Sequence, residues 1–285
     1  MLGVGANAAL AAGKLVAGLL GHSFALVADA VESLVDVAGS ALVWWAMRYG
    51  ERPADADHPF GHGKAEAVAG LIVAGLVMLA GIGIAVEAIR HIITPHDAPA
   101  SFTLIVLVAV VIVKEALARI ADRAAREAGG SSAGEADAWH HRSDAITSAF
   151  AFVGISIALV GGPAWAISDD IAALLASGVI LFNGLRMARG PWNEILDRDC
   201  PDVASDASGI AMTVDGVLAI ERCEARRSGR GYRVVMHAEV DAKMTVEASH
   251  RITGRIKEKV RHDRPEIDAV LVHIEPYEGE PAQTV

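Results

Sequence analysis

The chain of 285 residues has only two cysteines, Cys200 and Cys223. Both lie past the last long apolar run, on the side assigned below to the cytoplasm, which excludes a framework of structural disulfides and leaves two reduced thiols. Positive charge is also scarce: 25 Lys and Arg stand against 35 Asp and Glu, for a net charge of −10. Nucleic acid is thereby excluded as a partner, because phosphate binding needs concentrated positive charge, whereas attraction of cations is favoured. No G-x-x-x-x-G-K-[ST] loop is present, which removes ATP-driven pumping, and no H-E-x-x-H, which removes the membrane metalloprotease reading. No small-residue cleavage site follows the first apolar run, so the first helix is expected to remain in place.

Apolar residues are abundant. They make up 53% of the chain, with a mean hydropathy of +0.37, above an ordinary soluble domain. About 20 mostly apolar residues cross a hydrocarbon core of roughly 30 Å, and six stretches of that kind are expected, at 3–22, 26–47, 65–89, 101–118, 138–161 and 167–185. After residue 190 the apolar runs shorten, at the helix-breaking pair Gly190 and Pro191. The domain organisation is therefore a transmembrane domain over 1–190 and a cytoplasmic domain over 191–285. Arg48, Arg52 and Lys64, then Arg119, Arg123 and Arg126, then Arg186, Arg189 and Arg198 collect on one side. By the positive-inside rule that side is cytoplasmic, as are both termini, giving a multi-pass protein of the cell inner (plasma) membrane.

The stretch ADAVESLVD, residues 28–36, places Asp29, Glu32 and Asp36 inside one of the most apolar regions. Its spacing recurs at 136–144, ADAWHHRSD, and each copy is followed four residues later by a serine, Ser40 and Ser148. Residues four apart on a helix share a face, so Glu32 with Asp36, and His140 with Asp144, each present two ligand groups. Two such faces meeting would surround one divalent ion with three carboxylates and an imidazole. That donor set suits zinc first, and also takes iron, cadmium, manganese or cobalt. An ionisable group at bilayer depth costs about 2.5–3.5 kcal/mol, which disfavours mutual hydrogen bonding as the reason for two such pairs. Asp29 and Asp137, one turn earlier, are assigned a structural role near the helix start.

A second cluster lies in the loop ADADHPFGHGKAE, residues 54–66, where Asp55, His58 and His62 are spaced to hold another divalent ion, the two histidines one helical turn apart if the segment curls. The competing reading is a solvated loop that binds nothing.

Together these residues resemble the cation diffusion facilitator family of divalent-metal transporters. The resemblance runs over nearly the whole chain: six spans, paired motifs on helices two and five, the HPFGHGKAE loop, LDRDCP after helix six, and a C-terminal domain ending VHIEP. It implies a transport site of Glu32, Asp36, His140 and Asp144 and a loop site of Asp55, His58 and His62. It further implies an interlock of Lys64 with Asp197, a homodimer, and export from the cytoplasm. Members of the family often carry Asp or His where Glu32 stands, and the extra methylene of Glu32 leaves the preferred metal open.

The cytoplasmic stretch reads as helix 202–213, strands 217–226 and 231–241, helix 245–262 and strand 268–275, an αββαβ order. Val234, Met236, Ala238 and Val240 alternate with residues including His237, the pattern of a sheet covered on one face. His237, His273 and Glu275 then point to the open face. The resemblance makes this a ferredoxin-like, metallochaperone-like α+β module that dimerises and binds metal through His237, His250, His273 and Glu275, with Glu221 where the family has a further histidine. The expected protein is a six-helix transmembrane bundle followed by this domain: a non-enzymatic antiporter exchanging a divalent cation, its substrate and only ligand, for protons. The alternative is a non-transporting metal sensor or assembly partner on the same fold.

Overall fold

A computed structural model describes residues 2–94, 99–127 and 132–279; the side chains of 2–4, 6, 7, 114–118, 120–127, 132–146 and 163 lie outside the description. Six long helices come first: α1 (Leu2–Leu20), α2 (Phe24–Gly50), α3 (Lys64–Ile93), α4 (Phe102–Glu127), α5 (Ser132–Gly161) and α6 (Ile167–Ile195), with a 3₁₀ turn over Pro163–Trp165. Among the described residues, α3 and α6 are by themselves long and apolar enough to cross a bilayer, with mean hydropathies of 2.5 and 1.7 over their best windows. The apolar parts of α1, α4 and α5 among the described residues, Ala8–Leu20, Phe102–Val113 and Thr147–Gly161, are shorter.

The chain forms two compact units. The first comprises Met1–Trp44 and Gly70–Arg189. Its core joins Leu26 of α2, Val73 and Ile84 of α3, Leu107 of α4, Ile155 of α5 and Ile180 of α6. Small residues let these helices touch, as is usual where lipid supplies no hydrophobic drive for association. A Cβ on Gly154 would lie 2.4 Å from Cβ of Ala172, so α5 meets α6 at contact distance there. Asp169, buried in the first turn of α6, caps a different helix: its carboxylate accepts from Ser23 Oγ at 2.9 Å, Phe24 N at 2.6 Å and Ala25 N at 3.2 Å, satisfying orphan donors at the start of α2.

The second unit comprises Trp45–Ala69 and Gly190–Val285. Its folded core is α7 (Pro201–Ala211), β1 (Ala219–Ser228), β2 (Gly231–Val240), α8 (Val246–Asp263) and β3 (Ile267–Pro276), the αββαβ order read from the sequence. The sheet runs β1-β2-β3, antiparallel between the first pair and parallel between the second. Val234, Met236, Ala238 and Val240 are buried against Ile252, Ile256 and Val260 of α8 and Ala207 and Ala211 of α7. The period of two in β2 thus sends its apolar set inward and His237 to the opposite face. Thr245 caps α8 by accepting from Ala248 N at 3.2 Å.

Ile256 is fully buried. Replacing it with Ala removes three buried carbons and is expected to cost about 2–5 kcal/mol, read as faster amide hydrogen exchange along β2 in the detergent-solubilised protein. Thr245→Ala, which removes one cap, is expected to cost about 1 kcal/mol.

Candidate metal centres

The loop joining α2 to α3 is shaped by Asp55. Its Oδ1 accepts from Asp57 N at 3.1 Å and His58 N at 2.7 Å, and lies 3.1 Å from His58 Nδ1. Asp55 N in turn donates to His58 O at 3.2 Å. This Asx turn brings the first two candidate ligands together without a helix. Gly61, at φ +77°, then reverses the chain, and its N donates to His58 O at 2.9 Å. The third ligand follows. His62 Nε2 lies 3.4 Å from Asp55 Oδ2, and the rings of His58 and His62 are 4.4 Å apart. The sequence expectation of a helical curl is replaced by two tight turns, which reach the same grouping: one ligand atom from each residue falls within 4.8 Å of the others. The backbone hydrogen bond from His58, together with its ring and that of His62, holds the Asp55 carboxyl below its ordinary range despite the opposing effect of burial, so the group is an ionised donor. His62 is buried, and its Nδ1 has no hydrogen-bond partner among the described residues.

The loop is seated on the β1–β2 hairpin. Glu51 pairs with Arg230 at 2.9 Å, and Phe60 O accepts from Arg233. At Gly63 a Cβ would stand 2.8 Å from Ser228 O, and at Gly229 one would stand 2.9 Å from Gly63 O. Only glycine permits both approaches.

On the open face of the sheet His237 pairs across the ladder with His273, their rings 5.0 Å apart. His237 Nδ1 lies 2.8 Å from Glu275 Oε1 and 3.6 Å from Glu221 Oε2, and His273 Nε2 lies 3.4 Å from Glu275 Oε1. The register shifts between Ile220 and Arg222. That bulge delivers Glu221 to the cluster, since an extra residue re-aims side chains. A hydrogen bond with Glu275 and the proximity of its charge raise the Glu221 carboxyl above its usual range. The same hydrogen bond, with help from His237 and His273, lowers that of Glu275. Glu221, His237 and Glu275 form the candidate ligand group here, with one ligand atom from each within 4.8 Å of the others. His250 is exposed on α8 and lies outside that group.

Lys64 Nζ meets Asp197 Oδ1 at 2.9 Å. The other oxygen takes Arg226 at 2.9 Å, a partner on β1 that no sequence spacing announces. Asp197 holds a left-handed φ of +53°. Cys200 and Cys223 are free thiols, and burial, aided by Asp199 and Glu224, pushes Cys223 up to about 11.

On α2, Glu32 and Asp36 are half-buried. Asp29 is buried and has a partner the sequence reading did not name: Lys14 Nζ lies 2.8 Å from Asp29 Oδ2. Ser148 Oγ of α5 approaches Asp29 Oδ1 at 3.4 Å. His140, Asp144 and Asp137 fall within α5, but their side chains lie outside the described residues.

The model of the cation efflux transmembrane domain matches residues 1–194, and that of the cation efflux protein cytoplasmic domain matches 202–277. The chain belongs to the cation efflux family. It shares 28% identity over 277 residues with the manganese efflux system protein MneP of Bacillus subtilis, covering 95% of this chain and 93% of that one. With metal tolerance protein C1 of Arabidopsis thaliana it shares 32% over 294 residues, covering 96% and 61%. With the cation-efflux pump FieF of Pectobacterium carotovorum it shares 28% over 265 residues, covering 91% and 85%. As a cation efflux protein it combines a membrane-embedded transporter domain with a cytoplasmic one, and the family is not an enzyme family.

Burial raises the Asp197 carboxyl, but Lys64 and Arg226 outweigh it and leave the group below its ordinary value. A carboxyl lowered on folding stabilises above its unfolded value and loses that contribution as pH falls through the lowered one. The expected outcome is a loss of hydrogen-exchange protection, measured against the intrinsic rate at each pH, around Asp197 and Arg226 as pH drops below about 4, with that dependence absent in Asp197→Asn.

Proposed function

We propose that this protein is a homodimeric secondary transporter that exports a divalent transition-metal cation from the cytoplasm in exchange for protons. Zinc is placed first, and iron, cadmium, manganese and cobalt are alternatives. Six helices would span the inner membrane with both termini in the cytoplasm. The observation that carries this reading is the contact of Ser148 with Asp29. Ser148 lies on the stripe of α5 that also holds positions 140 and 144, and Asp29 on the stripe of α2 that holds Glu32 and Asp36. The contact therefore supports a convergence of the two repeated motifs on one ion.

Glu32, Asp36, His140 and Asp144 are the transport ligands in this reading, and the ion is their substrate. Each binds metal only after losing its proton, so protons compete with the ion and the two fluxes are linked. The loop site at Asp55, His58 and His62 would take a further ion. A second reading, a metal sensor, is favoured by one observation, the cluster of Glu221, His237 and Glu275 on the cytoplasmic sheet.

Reconstituted vesicles separate the two. Asp36→Ala and Asp144→Ala are expected to lower metal-driven proton exchange by more than about a hundredfold, while His237→Ala leaves it within a few fold. Intact exchange in both aspartate variants would refute the transport site. Competition of zinc against manganese, compared between the native protein and Glu32→Asp, reports on the role of the longer side chain, with a shift of about tenfold expected.

A further inference from the structure

Lys14 stands in the middle of α1, in the run AALAAGKLVAGLL, and is fully buried. Its ammonium donates to Asp29 Oδ2 at 2.8 Å, to the carbonyl of Asp29 at 3.0 Å and to Ser33 Oγ at 2.5 Å. An ammonium placed in an apolar helix is costly. Replacing a buried ion pair by apolar residues of similar volume is often neutral or stabilising, so helix packing alone does not call for this one.

The position of its partner supplies a reason. Asp29 lies on one stripe of α2 with Glu32, Ser33 and Asp36, and Ser148 of α5 meets its second oxygen. A buried carboxylate one turn from Glu32 and two turns from Asp36 on the same stripe is a ready additional oxygen donor for a passing ion. Lys14 withholds it in two ways. It engages Oδ2 directly, and its fixed positive charge repels a divalent ion from the same place. Ser33 strengthens the arrangement by donating back to the Asp29 carbonyl at 3.0 Å, which keeps the lysine's acceptors in line along one turn of α2.

We infer that Lys14 is a selectivity-determining residue, a built-in cation that removes Asp29 from the metal-coordinating set and keeps that set small. This deepens the transport reading above and rests on it. A small set of carboxylate and imidazole donors suits four-coordinate ions such as zinc. A set enlarged by one carboxylate suits manganese, which takes more oxygen ligands in octahedral geometry.

The test uses the full-length protein in liposomes, with initial rates measured separately for zinc and for manganese. Lys14→Gln is expected to shift the ratio of the two KM values toward manganese by about tenfold. Adding Asp29→Asn to that variant returns the ratio to the native value, and Lys14→Arg never leaves it. Lys14→Met, apolar and of similar length, supplies the same arm should the glutamine variant fail to stay monodisperse. An unchanged ratio in both neutral variants overturns the inference. So does an equal loss for both ions that Asp29→Asn does not reverse, since that outcome makes Lys14 a structural tie. If Asp36→Ala transports like the native protein, the transport site itself is at fault instead.

Discussion

A charge inside an apolar helix must be met by another group, and that requirement organises the first unit of this protein. Lys14, Asp29 and Asp169 are all buried there, and each is held by named partners from another helix. Asp169 of α6 closes the start of α2, Lys14 of α1 reaches Asp29 and Ser33 in its first half, and Ser148 of α5 also approaches Asp29. Helix α2 is consequently fixed at several points by polar contacts, while small residues elsewhere bring the helices into contact. Two of the carboxylates proposed to carry the ion, Glu32 and Asp36, lie on this helix.

The second unit applies a different rule. Its sheet hides the apolar side of β2 under two helices and leaves a polar face, on which two glutamates and two histidines come together. Alternation along the strands accounts for His237, His273 and Glu275, and a bulge accounts for Glu221. The loop from α2 to α3 reaches its own cluster by turn chemistry: an aspartate that accepts from the backbone ahead of it and a glycine with positive φ. Two ligand groups thus arise from unrelated local causes within one compact unit.

Much of this was legible in the residues. Long apolar runs marked the helices, period-two patterning marked the strands and their buried face, and the repeated carboxylate motif marked α2 and α5. Pairings that depend on distant segments were not legible. Lys14 drew no reading from the sequence, because nothing in the spacing joins it to Asp29, fifteen residues away and beyond a turn. Arg226 joins Lys64 at Asp197 only because β1 passes that point. Glu221 was read only as standing where the family has a further histidine, because alternation alone does not foresee a register shift. His250 was grouped with the others by family likeness, although it sits on the exposed side of α8.

The close fit of Gly63 against Ser228 and Gly229 has a mechanical meaning. With no side chain between them, the two backbones have no cushion, and Arg230, the residue after Gly229, is tied to the start of the same loop by its ion pair with Glu51. Any rearrangement that tightens Asp55, His58 and His62 must push the hairpin as well, so the sheet that carries His237 feels an event in the loop as a displacement rather than as a change of charge.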